Sequence, residues 1–307
     1  MGENTAISWC DHTHNPWWGC SRKSPGCEHC YAEAWAKRCG LDVFGPASTT
    51  PRRELSDANW KKPLKWDREA FEKFGRRARV FTGSMCDLFE DHPQLPPLRA
   101  RQWDLIEATP NLEWLLLTKR IENVMGMVPE RWIRNGFPEH VRIGCTVENQ
   151  AMADERIPEL LTIPARNFLS MEPLLELVDL WPYLVDCLAC DSEGATAGGH
   201  VTPQEYHTCG RPTADWIIVG GESGPHARPF DVGWARDLIG QCQAAGVPVF
   251  MKQLGSNPRV TKPAPCEKWP DSEIEYSVEL KSKHGSDPSE WPEDLRVQEY
   301  STTEPER

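Results

Sequence analysis

Short apolar runs and helix-period stretches alternate along this chain. Seven runs have the length and the β-branched or aromatic content of buried strands: AISW (6–9), ARVFTG (78–83), EWLLLT (113–118), VRIGCTV (141–147), RNFLSM (166–171), ADWIIVG (214–220) and VPVFMK (247–252). Between most of them lie patterns that predict helices: CYAEAWAKRC (30–39), LRARQWDLIEAT (98–109), MADERIPELL (152–161) and DVGWARDLIGQCQAAG (231–246). The last opens on an aspartate that can cap it and closes on glycine. Strands alternating with helices imply βα units and a parallel sheet. Six or seven such units predict an α/β fold, a partial or full βα-barrel over residues 1–255.

Two regions break the rhythm. Residues 183–213 read as a small insertion with its own cysteines, and residues 256–307 as an acidic, Pro-rich, irregular C-terminal extension. Within that extension EWPEDLRV is expected to pack back through Trp291 and Leu295, and the last few residues to be disordered.

Each predicted strand turns polar where it ends. Ser84 and Asp87 follow the second, Thr118, Lys119 and Arg120 the third, Glu148 and Asn149 the fourth, and Ser170 and Glu172 the fifth. Gly220, Gly221, Glu222 and Ser223 follow the sixth, and Lys252 and Gln253 the seventh. In βα-barrels the C-terminal strand ends carry the chemistry. Six polar ends therefore predict one shared pocket.

Composition narrows the classes. No apolar run approaches the roughly 20 residues of a membrane helix, and MGENTAISWCDHTHN lacks the basic start and apolar stretch of a secretory signal. The same start matches the myristoylation pattern only loosely. A cytoplasmic, membrane-free protein is expected, and there twelve cysteines point to metal or redox work rather than disulfides. A net charge of −12 argues against indiscriminate nucleic-acid binding. Residues 52–79 nevertheless hold ten Lys/Arg against five Asp/Glu, with Trp60 and Trp66 among them. Such a stretch is either a phosphate-holding, base-stacking surface or a solvated helix with buried tryptophans.

Cys20, Cys27 and Cys30 stand as C-x6-C-x2-C on the loop after the first predicted strand. Three thiolates leave one position open on a four-coordinate metal. The set suits a catalytic zinc, a cubane iron–sulfur cluster with one free iron, or a closed zinc site completed by His12, His14 or His29. The helix predicted from Cys30 would aim its N-terminal amides at the loop and favour an anionic group there. In the insertion, Cys187-x2-Cys190 followed by His207-x-Cys209 fits a Cys3His zinc site, with His200 the alternate histidine.

The three-cysteine loop resembles that of radical S-adenosylmethionine enzymes, whose usual spacing is C-x3-C-x2-C; here the first gap has six residues. More closely, NPWWGCSRKSPGCEHCYAE, LLLTKR, VRIGCTVEN, FLSMEPLLE, WIIVGGESGPHARP, FMKQLG and DPSEWPEDLRV resemble the phage-associated three-cysteine-motif proteins, an uncharacterised family classed as radical-SAM-like. The resemblance implies a [4Fe–4S] cluster on Cys20, Cys27 and Cys30, S-adenosylmethionine on the fourth iron, and a 5′-deoxyadenosyl radical acting on a nucleobase, a nucleic acid or a peptide. It also implies an electron donor and a protein partner encoded nearby. Ser84 and Asp87 become candidates for the methionine or ribose, and Lys119, Arg120 and Lys252 for a carboxylate or phosphate. Gly220, Gly221 and Glu222, with Glu148 and Glu172, become pocket-lining candidates. Two competing readings stand beside it. One is a glycosidase-like barrel using Glu148, Glu172 and Glu222. The other is a non-catalytic zinc protein holding nucleic acid through residues 52–79.

Overall fold

The structure, a computed structural model, describes residues 2–185, 213–263 and 273–301. Cys187, Cys190, His200, His207 and Cys209 lie outside the described residues, as do the last few of the chain. The chain forms two compact units, Met1–Thr146 with Ile163–Ser170, and Val147–Thr162 with Met171–Arg307.

The first unit runs β1 (His12–His14), β2 (Trp17–Trp18), α1 (Tyr31–Arg38), β3 (Arg53–Glu54), α2 (Asp57–Phe74), β4 (Ala78–Thr82), α3 (Leu95–Glu107), β5 (Leu112–Thr118), α4 (Val124–Met127), α5 (Glu130–Asn135), β6 (Val141–Thr146) and β7 (Arg166–Met171). Strands β1, β4, β5, β6 and β7 pair in that order, all parallel. The runs of β4, β5 and β6 are largely apolar because side chains on both faces are buried. The sheet curls. Trp9 reaches Phe81 on β4 at 4.6 Å and Phe168 on β7 at 6.2 Å between ring centroids. The two phenylalanine rings are thus within about 11 Å of each other, whereas three strand spacings on a flat sheet span about 14 Å.

The first strand corrects an expectation. It is HTH at 12–14, not AISW at 6–9. Trp9 is buried, but in the turn before the strand. The polar strand escaped an apolar pattern because each side chain finds a specific partner. His12 stacks on Trp66 at 4.4 Å, His14 meets Trp60 and Trp114 edge-on, and Thr13 Oγ1 accepts from Gly2 N at 3.0 Å.

Helix α2 is the solvated helix with buried tryptophans. Trp60, Pro63, Trp66 and Ala70 recur at helical spacing on its buried face, so neither indole is free to stack a base. Several of the stretch's cations are paired: Lys65 and Lys73 with Glu3 and Glu69, Arg76 with Asp11, and Arg77 with Glu139. Inside the sheet, Glu113 on β5 joins Arg79 on β4 (3.3 Å) and Arg142 on β6 (2.7 Å), so these buried charges are mutually compensated.

The second unit contains α6 (Gln150–Thr162), α7 (Trp181–Leu184), β8 (Ile217–Gly220), β9 (Phe230–Asp231), α8 (Val232–Ala245), β10 (Val249–Gln253), β11 (Pro258–Pro263) and β12 (Glu273–Ser277). Strands β8 and β10 are parallel. Helix α8 begins where Asp231 accepts from Gly233 N at 2.7 Å and ends at left-handed Gly246, as its sequence predicted. The C-terminal extension is less irregular than expected, since β11 pairs with β9 and with β12. Strand β9 has only two residues, β11 has proline at both ends, and β12 (EIEYS) alternates over just five residues, too few to stand out. Trp291 and Leu295 are buried as anticipated, and Met251 N on β10 donates to Val297 O at 2.8 Å.

With five parallel strands in the first unit and two in the second, and helices between most of them, the fold is α/β of the partial βα-barrel kind. No helix among the described residues is long and apolar enough to cross a membrane.

Candidate metal centre

The cysteine loop in the first unit is set by a glycine. Gly19 has φ +114°, and a Cβ there would lie 2.2 Å from Val43 O, so only glycine permits this approach. Gly19 bridges to Cys86 in the parallel sense, its amide donating to Met85 O at 3.0 Å. Cys20 follows directly. Its Sγ lies 3.2 Å from Ser21 O and accepts from Arg120 Nη1 at 3.6 Å.

A buried set of charges fixes the next residue. Ser21 N and Oγ donate to Glu90 Oε1 (2.8 and 2.6 Å), and Arg52 grips both oxygens of Glu90 (2.9 and 2.8 Å). Arg120 Nη2 donates to Ser21 O and Oγ (2.7 and 2.8 Å). Burial favours the neutral acid at Glu90, yet the Arg52 and Ser21 hydrogen bonds hold its carboxyl below the usual range.

Of the other two thiols, Cys27 ends a short turn, Pro25–Cys27, and Cys30 follows three residues later. Cys27 Sγ accepts from Lys23 N at 3.5 Å. Cys30 stands at the N-terminus of α1. Burial raises its thiol pKa, while the Glu33 and Ala32 amides and Lys119 pull the other way. Cys20 is also pushed up, first by burial and then by Asp87, with Arg120 opposing. Cys20 and Cys30 are each within electrostatic reach of Cys27. Cys86 is a fourth thiol within electrostatic reach of Cys20, and burial drives its pKa well up.

Among the described residues no three His, Cys, Asp or Glu side chains converge as a ready coordination sphere. What fits a metal is the chemistry of the donors. Thiols select iron–sulfur clusters, zinc or copper(I). A metal binds such groups as thiolates, so loading displaces the thiol protons. Arg120, Lys119 and the α1 amides favour the resulting negative charge.

The strand ends of this unit carry the polar groups foreseen and one that was not. Ser84 is buried after β4. Its Oγ accepts from Asn15 Nδ2 (2.7 Å), and its carbonyl accepts from Tyr31 Oη (2.8 Å), tying α1 to the strand end. Asn15, next after β1, also accepts from Met85 N at 2.8 Å; sequence reasoning missed it because the first strand was placed too early. The Asp87 carboxylate accepts from Thr118 Oγ1 (2.7 Å), Phe89 N (3.0 Å), Lys119 N (3.2 Å) and Arg120 Nη1 (2.9 Å). It therefore organises the loop after β5. Lys119 Nζ lies 3.3 Å from Thr146 Oγ1.

In the second unit, each of the three candidate glutamates meets a cation. Glu148 is fully buried with Arg156 at 2.9 Å, and Glu222 is bound by Arg228 through side chain and backbone. Glu172 meets Lys252 Nζ at 2.5 Å and Gln253 Nε2 at 3.1 Å. Gly221 is required by packing, because a Cβ would lie 2.4 Å from Leu254 O, whereas one on Gly220 would make ordinary contact with Glu172 and Gln253.

Residues 4–287 match the family described as protein of unknown function (DUF5131). The chain belongs to that family. No curated protein matches it. Two solved structures of spore photoproduct lyase, one a Cys-to-Ser and one a Tyr-to-Phe mutant, share 12% and 11% identity with this DUF5131 protein at TM-scores of 0.37 and 0.38. Each match covers 56% of this chain and 48% of the other, so the chain spans about half the length of the structures it matches.

Proposed function

We propose that this DUF5131 protein is a radical S-adenosylmethionine enzyme, with Cys20, Cys27 and Cys30 holding a [4Fe–4S] cluster. What supports the reading is the placement of Cys20, Cys27 and Cys30 on one loop of the unit that carries the curled parallel sheet, with Arg120 beside Cys20 and the α1 N-terminus at Cys30. When bound, cluster and S-adenosylmethionine supply a 5′-deoxyadenosyl radical for hydrogen abstraction. Reductive cleavage consumes one electron, so an electron donor is part of the proposal. A nucleobase or nucleic acid is the proposed substrate, from the sequence resemblance.

The chain's own groups then divide the work. Arg120, Lys119 and the α1 N-terminus favour thiolate over thiol. Gly19 and the Ser21–Glu90–Arg52 bonds hold the loop in place. Ser84 and Asn15 offer polar atoms at adjoining strand ends for the methionine or ribose, with Asp87 acting through Thr118, Lys119 and Arg120. Zinc in the insertion, on Cys187, Cys190, His207 and Cys209, belongs to the proposal on spacing alone.

A glycosidase reading needs a pair of carboxyls facing the sugar, whereas Glu148, Glu172 and Glu222 are each engaged by a cation, Arg156, Lys252 and Arg228. A nucleic-acid interface on residues 52–79 is weakened by the buried Trp60 and Trp66 and by the pairing of its cations. The test is anaerobic incubation of the reconstituted protein with dithionite and S-adenosylmethionine. Formation of 5′-deoxyadenosine, lost when Cys20, Cys27 and Cys30 become alanine, supports the proposal; no cleavage by an iron-loaded protein refutes it.

A further inference from the structure

The proposed function explains three thiols but not why a buried arginine points at one of them. Arg120 is only 7% exposed, and its guanidinium has no freedom of aim. Nη1 is shared between Asp87 Oδ2 (2.9 Å) and Cys20 Sγ (3.6 Å), and Nη2 between Ser21 O and Oγ. Arg120 N donates to Thr118 Oγ1 at 2.9 Å, which fixes the base of the side chain. Ser21 is itself immobilised by Glu90 and Arg52. A planar fork with five donors is the group that can meet a sulfur, a carboxylate and a carbonyl at once.

We infer that Arg120 is a positioning residue that raises the reduction potential of the cluster at Cys20; the inference rests on the function proposed above. Once Cys20 is a ligand its S–H proton is gone and the bond to Ser21 O goes with it. The Arg120 bond is kept and strengthened, because it then joins a cation to an anionic sulfur. The reduced cluster carries one more negative charge than the oxidised one. An N–H aimed at a ligand sulfur therefore stabilises the reduced state more, and hydrogen bonds to sulfur are among the terms that set such potentials. Asp87 and Glu90 offset part of the guanidinium charge at this corner, so the directed N–H is the specific contribution. The other two thiols are served differently. Cys27 takes a backbone amide from Lys23, and Cys30 has the α1 amides with Lys119.

The test compares wild type with Arg120→Gln and Arg120→Lys after anaerobic reconstitution with iron and sulfide. Two quantities are read: iron and sulfide per chain, and the midpoint potential from a reductive titration followed by absorbance. The expected result is wild-type metal content in both variants, with the potential moved clearly negative in Arg120→Gln and by less in Arg120→Lys. If Arg120→Gln fails to fold, a negative shift in Arg120→Lys carries the inference alone, because lysine keeps the charge and loses the fork. An unchanged potential in a metal-loaded variant overturns it. So does loss of metal from both variants in folded protein, which would make Arg120 a loop anchor and no more. If wild type itself takes up no iron and sulfide, the proposed function fails instead.

Discussion

Glu148 Oε2 and Arg156 Nη1 lie 2.9 Å apart with both side chains excluded from water. Glu148 follows β6 and Arg156 sits two turns later on the inner face of α6, so the pair ties the helix to its own start. Such a pair is weak evidence for stability as a whole, but breaking it strands a charge. Glu148→Ala is expected to cost about 3–5 kcal/mol, read by urea denaturation. Glu148→Leu combined with Arg156→Met should cost much less than the single change. A single-variant cost near zero would show that water reaches the site.

Acid stability should reveal His14. Burial presses its pKa down to about 3, and the nearby Lys62 and Arg101 charges push the same way. The unfolded chain takes up that proton near the ordinary value of about 6.5, whereas the folded protein stays neutral there. Stability therefore falls as pH drops from about 6.5 towards 3, by about 1.4 kcal/mol per unit. Between pH 7 and pH 5 wild type should lose about 2 kcal/mol through this group. In His14→Gln the difference between the two pH values should shrink by that amount. An unchanged difference would assign the acid sensitivity elsewhere.

Gly19→Ala should damage the metal centre. The new methyl would press on Val43 O at 2.2 Å in a backbone conformation that alanine resists, a strain of about 1–3 kcal/mol beside Cys20. Gly40→Ala is the control, because Gly40 also has positive φ (+70°) but its Cβ would meet nothing within 4 Å. Iron per chain after reconstitution should drop in Gly19→Ala and hold in Gly40→Ala. Equal iron in the two would show that the loop relaxes around the methyl.

Lys65 and Lys73 should be silent in nucleic-acid binding, since both are engaged with Glu3 and Glu69. Filter binding of single-stranded DNA at two salt concentrations should be the same for wild type and for Lys65→Ala/Lys73→Ala. A weaker, less salt-sensitive affinity in the double variant would restore α2 as an interface.

What the sequence revealed follows from which forces leave a periodic trace. Six of the seven parallel strands among the described residues were legible because burial on both faces forces continuous apolar runs such as EWLLLT, and α8 because Asp231 and Gly246 mark its ends. Strand β1 was misplaced because HTH is stabilised by ring contacts with Trp60, Trp66 and Trp114, far away in sequence. Within the candidate site the three cysteines are the members that spacing alone singles out. Arg120 was seen as a strand-end cation, but its bonds to Cys20 and Ser21, a hundred residues upstream, are tertiary facts. Asn15, Glu90 and Arg52 had no signal beyond being polar. The partners of Glu148 and Glu222 were not legible, because a strand-end acid reads the same whether or not an arginine such as Arg156 or Arg228 folds onto it.

Iron and acid-labile sulfide, quantified on anaerobically reconstituted wild type beside the Cys20→Ala/Cys27→Ala/Cys30→Ala variant, test the central claim most directly. The account predicts about four irons and four sulfides per chain in wild type, as a [4Fe–4S] cluster requires, and a loss of both in the triple variant. Iron and sulfide retained by the triple variant, or wild type that binds zinc alone through these thiols, would contradict it.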